Sequence, residues 1–120
     1  MKMKVSELTG KALDWAVDQI DGHYARYKLS REPGETILTY AKWASHSFWR
    51  PSSDWKHGGP IIERNKVSVS VQIHDSWSAH APYSLEHWKY GFGPTPLIAA
   101  MRCYVQVKFG EEIDIPEELL

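Results

Sequence analysis

The segment from Thr95 to Gly110 constrains the fold most, because it carries the signals for both ends of one helix. Thr95 is a favoured N-cap residue, Pro96 follows at the first helical position, and Gly110 is typical of a helix end. One face collects the residues suited to a core: Leu97, Met101, Tyr104, Val105 and, through its aliphatic stem, Lys108. The sequence therefore predicts a core-packed helix over 96–109.

A second amphipathic helix is predicted near the start of the chain, over about 8–21. Its apolar residues recur at the spacing of one helical face: Leu13, Ala16, Val17 and Ile20. Ser6 or Thr9 is suited to cap its start, and Gly22 to end it. Asp14 and Asp18 fall on the opposite face, which we expect to be exposed to water.

Strands are predicted between the two helices. Residues 67–73 alternate apolar and polar side chains, which predicts a strand with one face on the core. The segments 24–29 and 36–42 predict a hairpin around a turn at 32–35, and 111–115 predicts a short closing strand.

The segments 43–60 and 75–93 hold no regular period and are predicted to be long irregular loops rich in Trp. Within the first loop, 51–55 is compatible with one helical turn. Together the elements predict a single α+β domain over 1–120, with the two helices packed on one face of a small antiparallel sheet.

Composition argues against several classes of protein. The 14 Lys and Arg against 15 Asp and Glu give a net charge of −1 without a basic stripe, which disfavours a DNA partner. The single cysteine, Cys103, excludes an intrachain disulfide and favours a reducing compartment. No apolar run approaches the ~20 residues that cross a bilayer, so no membrane partner is predicted.

Catalytic and metal-binding patterns are weak. The histidines lack the spacing of a zinc site, so we predict no metal and no cofactor. Ser52, Asp54 and His57 lie close in sequence, but a catalytic triad is built from distant elements. Asp54 and Glu63 flank a predicted Gly-Gly-Pro turn, where they are either an acid–base pair or, as we favour, supports of the loop. We therefore assign no catalytic residue.

The aromatic content points to a binding surface. The chain has six Trp and six Tyr, and five of the Trp lie between Trp43 and Trp88. These side chains often anchor binding surfaces, and a domain of this size cannot easily bury them all. We expect some of them to line a groove or an interface, and we expect homo-oligomerisation to cover part of this surface.

Three blocks of the sequence resemble the NinX-like family of small phage and prophage proteins: "SELTGKALDWAV", "RPSSDWKHGGPIIER" and "GPTPLIAAMRCYV". They occur in the same order and span nearly the whole chain, whereas 22–47 and 66–90 match less well. The resemblance implies a phage accessory protein acting in the cytoplasm of the bacterial host. It implies no activity, cofactor or catalytic residue.

We expect the central block and the start of the last helix to form one ligand site. In this hypothesis Trp55 and Trp49 stack on a flat ligand, and Arg102 meets its negative charge. The predicted ligand-binding residues are Trp49, Ser52, Asp54, Trp55, Gly58, Gly59, Glu63, Gly93, Thr95 and Arg102.

Three functions follow from this interpretation. The first is a non-catalytic small-molecule binder that sequesters a nucleotide-derived immune signal of the host. The alternative is a protein-binding inhibitor or adaptor, in which exposed aromatic residues contact a host defence protein. The third, a small hydrolase that uses Asp54, His57 or Glu63, is the least favoured.

Overall fold

A computed structural model describes residues 1–21, 49–82 and 88–120. These ranges contain three α-helices, α1 (Gly10–Asp21), α2 (Trp55–Asn65) and α3 (Pro96–Phe109). They also contain five strands, β1 (Lys2–Lys4), β2 (Ser68–Val71), β3 (Trp77–Pro82), β4 (Trp88–Gly93) and β5 (Glu112–Asp114). Short 3-10 turns lie at Val5–Glu7 and Glu117–Leu119. The predicted α+β class is confirmed, while the hairpin predicted over 24–42 lies outside the described residues.

Helix α3 is the central element of the core, and its predicted bounds of 96–109 are confirmed. The Thr95 hydroxyl accepts a hydrogen bond from the Ile98 N–H at 3.1 Å, and Gly110 ends the helix with a positive φ of 85°. The helix contacts β2, β3, β4, α1 and α2. Because it is covered on most sides, its buried residues exceed the single predicted face: Leu97, Ala99, Ala100, Met101, Cys103, Tyr104 and Val105.

Helix α1 forms as predicted, but one feature of it was predicted wrongly. Leu13 and Val17 are buried as expected, yet Asp14 and Asp18 are buried as well, with 7% and 5% of their surface exposed. The reason for Asp14 is a turn at residues 50–54 that packs on that side of α1, where the Ser52 N–H donates to Asp14 Oδ1 at 2.9 Å. Helix α1 packs against α3, so helix and turn cover opposite sides of it.

Helix α2 replaces much of the first predicted loop, so the predicted Gly-Gly-Pro turn is wrong. Asp54 is the N-cap, because its side chain accepts a hydrogen bond from the Lys56 N–H. Gly58, Gly59 and Pro60 lie inside the helix, with Pro60 on the exposed side. The helix buries Ile61 in the core and contacts α3.

The sheet β2-β3-β4 is antiparallel, and β3 and β4 occupy a segment that was wrongly predicted as a loop. Small residues face α3, and a Cβ added at Gly91 would overlap the backbone carbonyl of Ala99 and the backbone N of Cys103. The helix therefore lies unusually close to the sheet. Of the apolar residues in the predicted strand 67–73, only Val67 and Val69 pack on the core, since Val71 is 60% exposed and Ile73 77%.

The sheet β1-β5 joins the two ends of the described chain. Lys2 is paired with Asp114 and Lys4 with Glu112, and Ile113 between them is buried. The predicted closing strand is thus confirmed, but its pairing with β1 was not predicted. None of the described helices is both long enough and apolar enough to cross a membrane.

Candidate functional site

The central block begins with a turn whose polar groups satisfy one another. The Asp54 N–H donates to the Arg50 carbonyl at 2.7 Å, and the Arg50 N–H donates to His57 Nδ1 at 3.0 Å. Because Nδ1 accepts this bond, the proton of the neutral imidazole lies on Nε2. Asp54 and His57 therefore hold the start of α2 in place, as the structural interpretation of Asp54 predicts.

A buried carboxylate attaches this turn to α1. Asp14 accepts hydrogen bonds from the backbone and the side chain of Ser52. Burial raises the pKa of Asp14 from 3.8 to about 6, although the bonds from Ser52 and the charge of Arg50 act in the opposite direction. The pair is a structural contact that sequence reasoning missed, because the helical pattern alone places Asp14 on the exposed side.

The predicted meeting of the central block with the start of α3 is present in the structure. Gly58 lies so close to Pro51 and Leu97 that an added Cβ would overlap the carbonyl oxygen of the first and Cδ2 of the second. At this meeting point Trp49 and Ser52 are each only 4% exposed. Their packing accounts for their presence, and their role in binding a ligand stays a prediction.

The other predicted site residues of the block are spread along α2. Trp55 is 56% exposed at the first helical position, while Glu63 is exposed near the opposite end of the helix. Asp54 and Glu63 are therefore separated by the length of the helix instead of flanking a turn. A Cβ added at Gly59 would meet no atom within 4 Å, so this residue faces open space.

Gly93 and Thr95 lie beside the first turn of α3. A Cβ at Gly93 would press on the Ile98 side chain, and the Thr95 hydroxyl is used as the helix cap. One N–H of the helix start is thus bonded by the protein itself. The role of Gly93 and Thr95 in binding a ligand stays a prediction.

A groove of about 520 Å³ runs along the edge of β4 that faces away from β3. We call it the edge groove. It is bounded by β4, by α3 and by the segments around β1 and β5, and its lining residues are Lys4, Val5, Ser6, Lys89, Tyr90, Gly91, Phe92, Arg102, Gln106, Glu111 and Glu112. Of these, sequence reasoning singled out Arg102 alone, because no local pattern reveals that residue 4 lies near residue 102.

Arg102 connects the two walls of the edge groove. Its Nε donates to the Leu8 carbonyl at 2.9 Å, and its Nη1 donates to the Phe92 carbonyl at 2.7 Å. Partial burial lowers the pKa of Arg102, but a guanidinium stays protonated in a protein. Within the described ranges no carboxylate forms an ion pair with it. The groove therefore contains a half-buried positive charge that no carboxylate of residues 1–21, 49–82 and 88–120 contacts directly.

The remaining reactive side chains do not form a centre. No group of three or more His, Cys, Asp or Glu is arranged to hold a metal ion in residues 1–21, 49–82 and 88–120. Cys103 is buried, its Sγ donates to the Lys89 carbonyl, and burial raises the pKa of its thiol to about 12. Such a thiol is a packing group, as its position in α3 predicts.

Comparison with protein families gives a match over most of the chain. The family model described as Bacteriophage P22, NinX matches residues 4–108, which include α1, α2, the sheet β2-β3-β4 and all but the last residue of α3. A search of the curated proteins finds no match to the chain.

Proposed function

The chain belongs to the Bacteriophage P22 NinX family, and on that premise we propose that it is a phage accessory protein that binds a small anionic ligand in the edge groove. The ligand class is a nucleotide-derived immune signal of the bacterial host, which the protein sequesters in the host cytoplasm without changing it chemically. The observation that carries the proposal is the half-buried Arg102 without a carboxylate partner in the described residues.

The energetics of Arg102 support an anionic ligand. A charge that is withdrawn from water without an ionic partner lowers stability, and a bound anion offsets this cost. Two backbone carbonyls accept from Nε and Nη1, and none of the described residues accepts from Nη2. The lining adds Lys4 and Lys89 against Glu111 and Glu112, so its formal charge is +1.

The size of the groove suits a ligand of nucleotide dimensions. Sites for small molecules typically enclose ~300–1,000 Å³, and the edge groove encloses about 520 Å³. The three residues of the hydrolase hypothesis support binding without catalysis, because Asp54 and His57 hold the start of α2 and Glu63 lies near its other end. Sequestration requires affinity and no reactive group.

A protein-binding adaptor is the second candidate, and one surface favours it. The end of β2 and the following residues expose apolar side chains, with Val71 at 60% and Ile73 at 77%. Exposed apolar residues at neighbouring positions are typical of surfaces that contact another protein.

Native mass spectrometry of protein purified from bacterial cells tests the proposal, followed by calorimetric titration with cyclic di-AMP, cyclic di-GMP and ADP-ribose. We expect a retained mass that denaturation releases, or micromolar binding of one probe. Lys4→Glu reverses a charge on the groove and should weaken binding about threefold to tenfold, because each exposed charge pair contributes up to ~1 kcal/mol.

Lys56→Glu is the matched control, because it changes the net charge equally at an exposed position on α2. It should leave affinity unchanged. If the purified protein carries no ligand and none of the probes binds at micromolar protein, the proposal is wrong. In that case the exposed end of β2 becomes the surface to test against host proteins.

A further inference from the structure

The hydrogen-bond register shows which backbone groups of β4 face the edge groove. Gln72 N–H donates to the Ser76 carbonyl, so the residue pairs of β2 and β3 that exchange hydrogen bonds are the even-numbered ones. The odd residues Ala79 and Ala81 of β3 therefore direct their N–H and C=O groups towards β4. There they are paired with Gly91 and Lys89.

The even residues of β4 consequently direct their backbone groups away from β3, into the edge groove. Two independent observations agree with this assignment. Arg102 Nη1 donates to the Phe92 carbonyl from the groove side. Pro82 has no N–H, but as an even-numbered residue of β3 it directs its nitrogen away from β4, so no hydrogen bond to β4 is lost. Tyr90 lies between these positions, so its N–H and C=O face the groove.

The Tyr90 backbone groups have no partner on that side among the described residues. No described strand is paired with this edge of β4, and Arg102 bonds Phe92 and not Tyr90. An antiparallel neighbour would exchange two hydrogen bonds with such a residue. Any flat molecule with an adjacent donor and acceptor can make the same two bonds.

We propose that the ligand of the edge groove is a purine nucleotide whose base bonds to the N–H and C=O of Tyr90 while its phosphate meets Arg102. This inference rests on the proposed function. It adds the chemical class of the ligand and the backbone groups that bond to its base. Adenine presents an amine donor beside a ring-nitrogen acceptor, and guanine presents a carbonyl acceptor beside a ring N–H. Both have the required pair on one edge.

An extended peptide is a poorer occupant of the same edge. Strand addition needs a row of consecutive backbone groups. Arg102 already donates to the Phe92 carbonyl, and β4 ends at Gly93, so the row is interrupted at Phe92, the next residue after Tyr90 that faces the groove. A base needs only the N–H and C=O of Tyr90. The phosphate of the same nucleotide contacts Arg102, the cation that interrupts the row at Phe92.

The lining charges indicate a nucleotide with few phosphates. Lys4, Lys89 and Arg102 are opposed by Glu111 and Glu112, so the lining suits one or two phosphates better than a longer phosphate chain. AMP and GMP are therefore suitable probes. Ribose 5-phosphate is the matched probe that has the phosphate and the sugar but lacks the base.

Calorimetric titration of the full chain with the three probes tests the inference. Two net hydrogen bonds, each contributing ~0.5–1.5 kcal/mol, correspond to a gain in affinity of at least about fivefold. We expect the better of AMP and GMP to bind at least about fivefold more tightly than ribose 5-phosphate. Equal affinity for AMP, GMP and ribose 5-phosphate would show that the groove binds the phosphate but not the base. That result overturns this inference and does not contradict the proposed function.

A pair of variants isolates the backbone donor. Tyr90→Pro removes the N–H that faces the groove, and no ladder bond to β3 is lost because that N–H points away from β3. Tyr90→Ala removes the side chain and keeps the N–H. We expect Tyr90→Ala to keep the preference for the purine nucleotide and Tyr90→Pro to lose it, with both variants binding ribose 5-phosphate as the unmodified protein does.

Amide-resolved NMR of the unmodified protein covers the case in which Tyr90→Pro does not fold. The Tyr90 amide should shift on addition of AMP or GMP and stay in place on addition of ribose 5-phosphate. A Tyr90 amide that responds to neither nucleotide, or equally to all three probes, overturns the assignment of the base to this edge. Failure of all three probes to bind overturns this inference, while the proposed function is then decided by the retained mass and by the titrations with the cyclic dinucleotides and ADP-ribose.

Discussion

Replacing Asp14 by Asn should make the protein more stable at neutral pH and leave its stability unchanged in acid. Asp14 is buried on α1, and its pKa is raised from 3.8 to about 6. The folded state therefore holds the Asp14 proton more tightly than the unfolded state does. Between these two pKa values the folded chain binds more protons, so the free energy of unfolding falls as the pH rises through this window.

The size of the effect follows from the same two values. A shift of about 2 pKa units corresponds to about 3 kcal/mol that the unmodified protein loses between pH 4 and pH 7. Asn has the shape of Asp and keeps an acceptor for the Ser52 N–H, but it carries no charge to desolvate. Asp14→Asn should thus exceed the unmodified protein by up to about 3 kcal/mol above pH 7 and match it near pH 4.

Urea denaturation at several pH values from 4 to 8, followed by Trp fluorescence, measures this difference. The six Trp give the signal, and Trp49 is buried beside the turn that contains Ser52. Asp54→Asn is the matched control, because Asn is an equally good N-cap and the change in charge is the same. If Asp14→Asn is less stable than the unmodified protein at pH 7 and the difference closes in acid, the Asp14 carboxylate stabilises the fold in its charged form and the reasoning is refuted.

Three further outcomes follow from the packing. Gly58→Ala should cost ~1–3 kcal/mol in unfolding free energy through overpacking, whereas Gly59→Ala, next to it but facing open space, should gain up to ~1 kcal/mol in the same denaturation assay. Thr95→Ala removes the cap of α3 and should cost ~1 kcal/mol, while Thr95→Ser should cost much less. Cys103 should resist iodoacetamide at pH 8 in the folded protein and react once urea unfolds it; rapid labelling of the folded protein would contradict the burial of its thiol.

The helices that were predicted well have both a periodic apolar pattern and end signals. Helix α3 has Thr95, Pro96 and Gly110 at the required positions, and its bounds match the prediction. Helix α2 has an equally good N-cap in Asp54. However, Gly58, Gly59 and Pro60 are typical of a turn, so the sequence did not predict a helix over these residues. Gly58 is explained by contact with Leu97, which only the folded chain reveals.

The strands β3 and β4 were missed for a related reason. Their helix-facing positions are Ala79, Ala81 and Gly91, which have low strand propensity and break the expected alternation of large apolar residues. The sheet uses small residues there because α3 lies close to it. In the candidate site, Arg102 was predictable as a cation on α3, but its neighbours Lys4 and Tyr90 come from distant parts of the chain that no sequence pattern brings together.

The hydrogen bond from Arg102 to Phe92 also bears on how the protein behaves at high concentration. An uncovered strand edge can pair with the same edge of another molecule and begin aggregation. On β4 the Arg102 guanidinium donates to the Phe92 carbonyl and places a positive charge at the strand edge. Two copies that meet at this edge therefore repel each other. The same contact therefore makes edge-to-edge pairing of two copies along β4 less favourable.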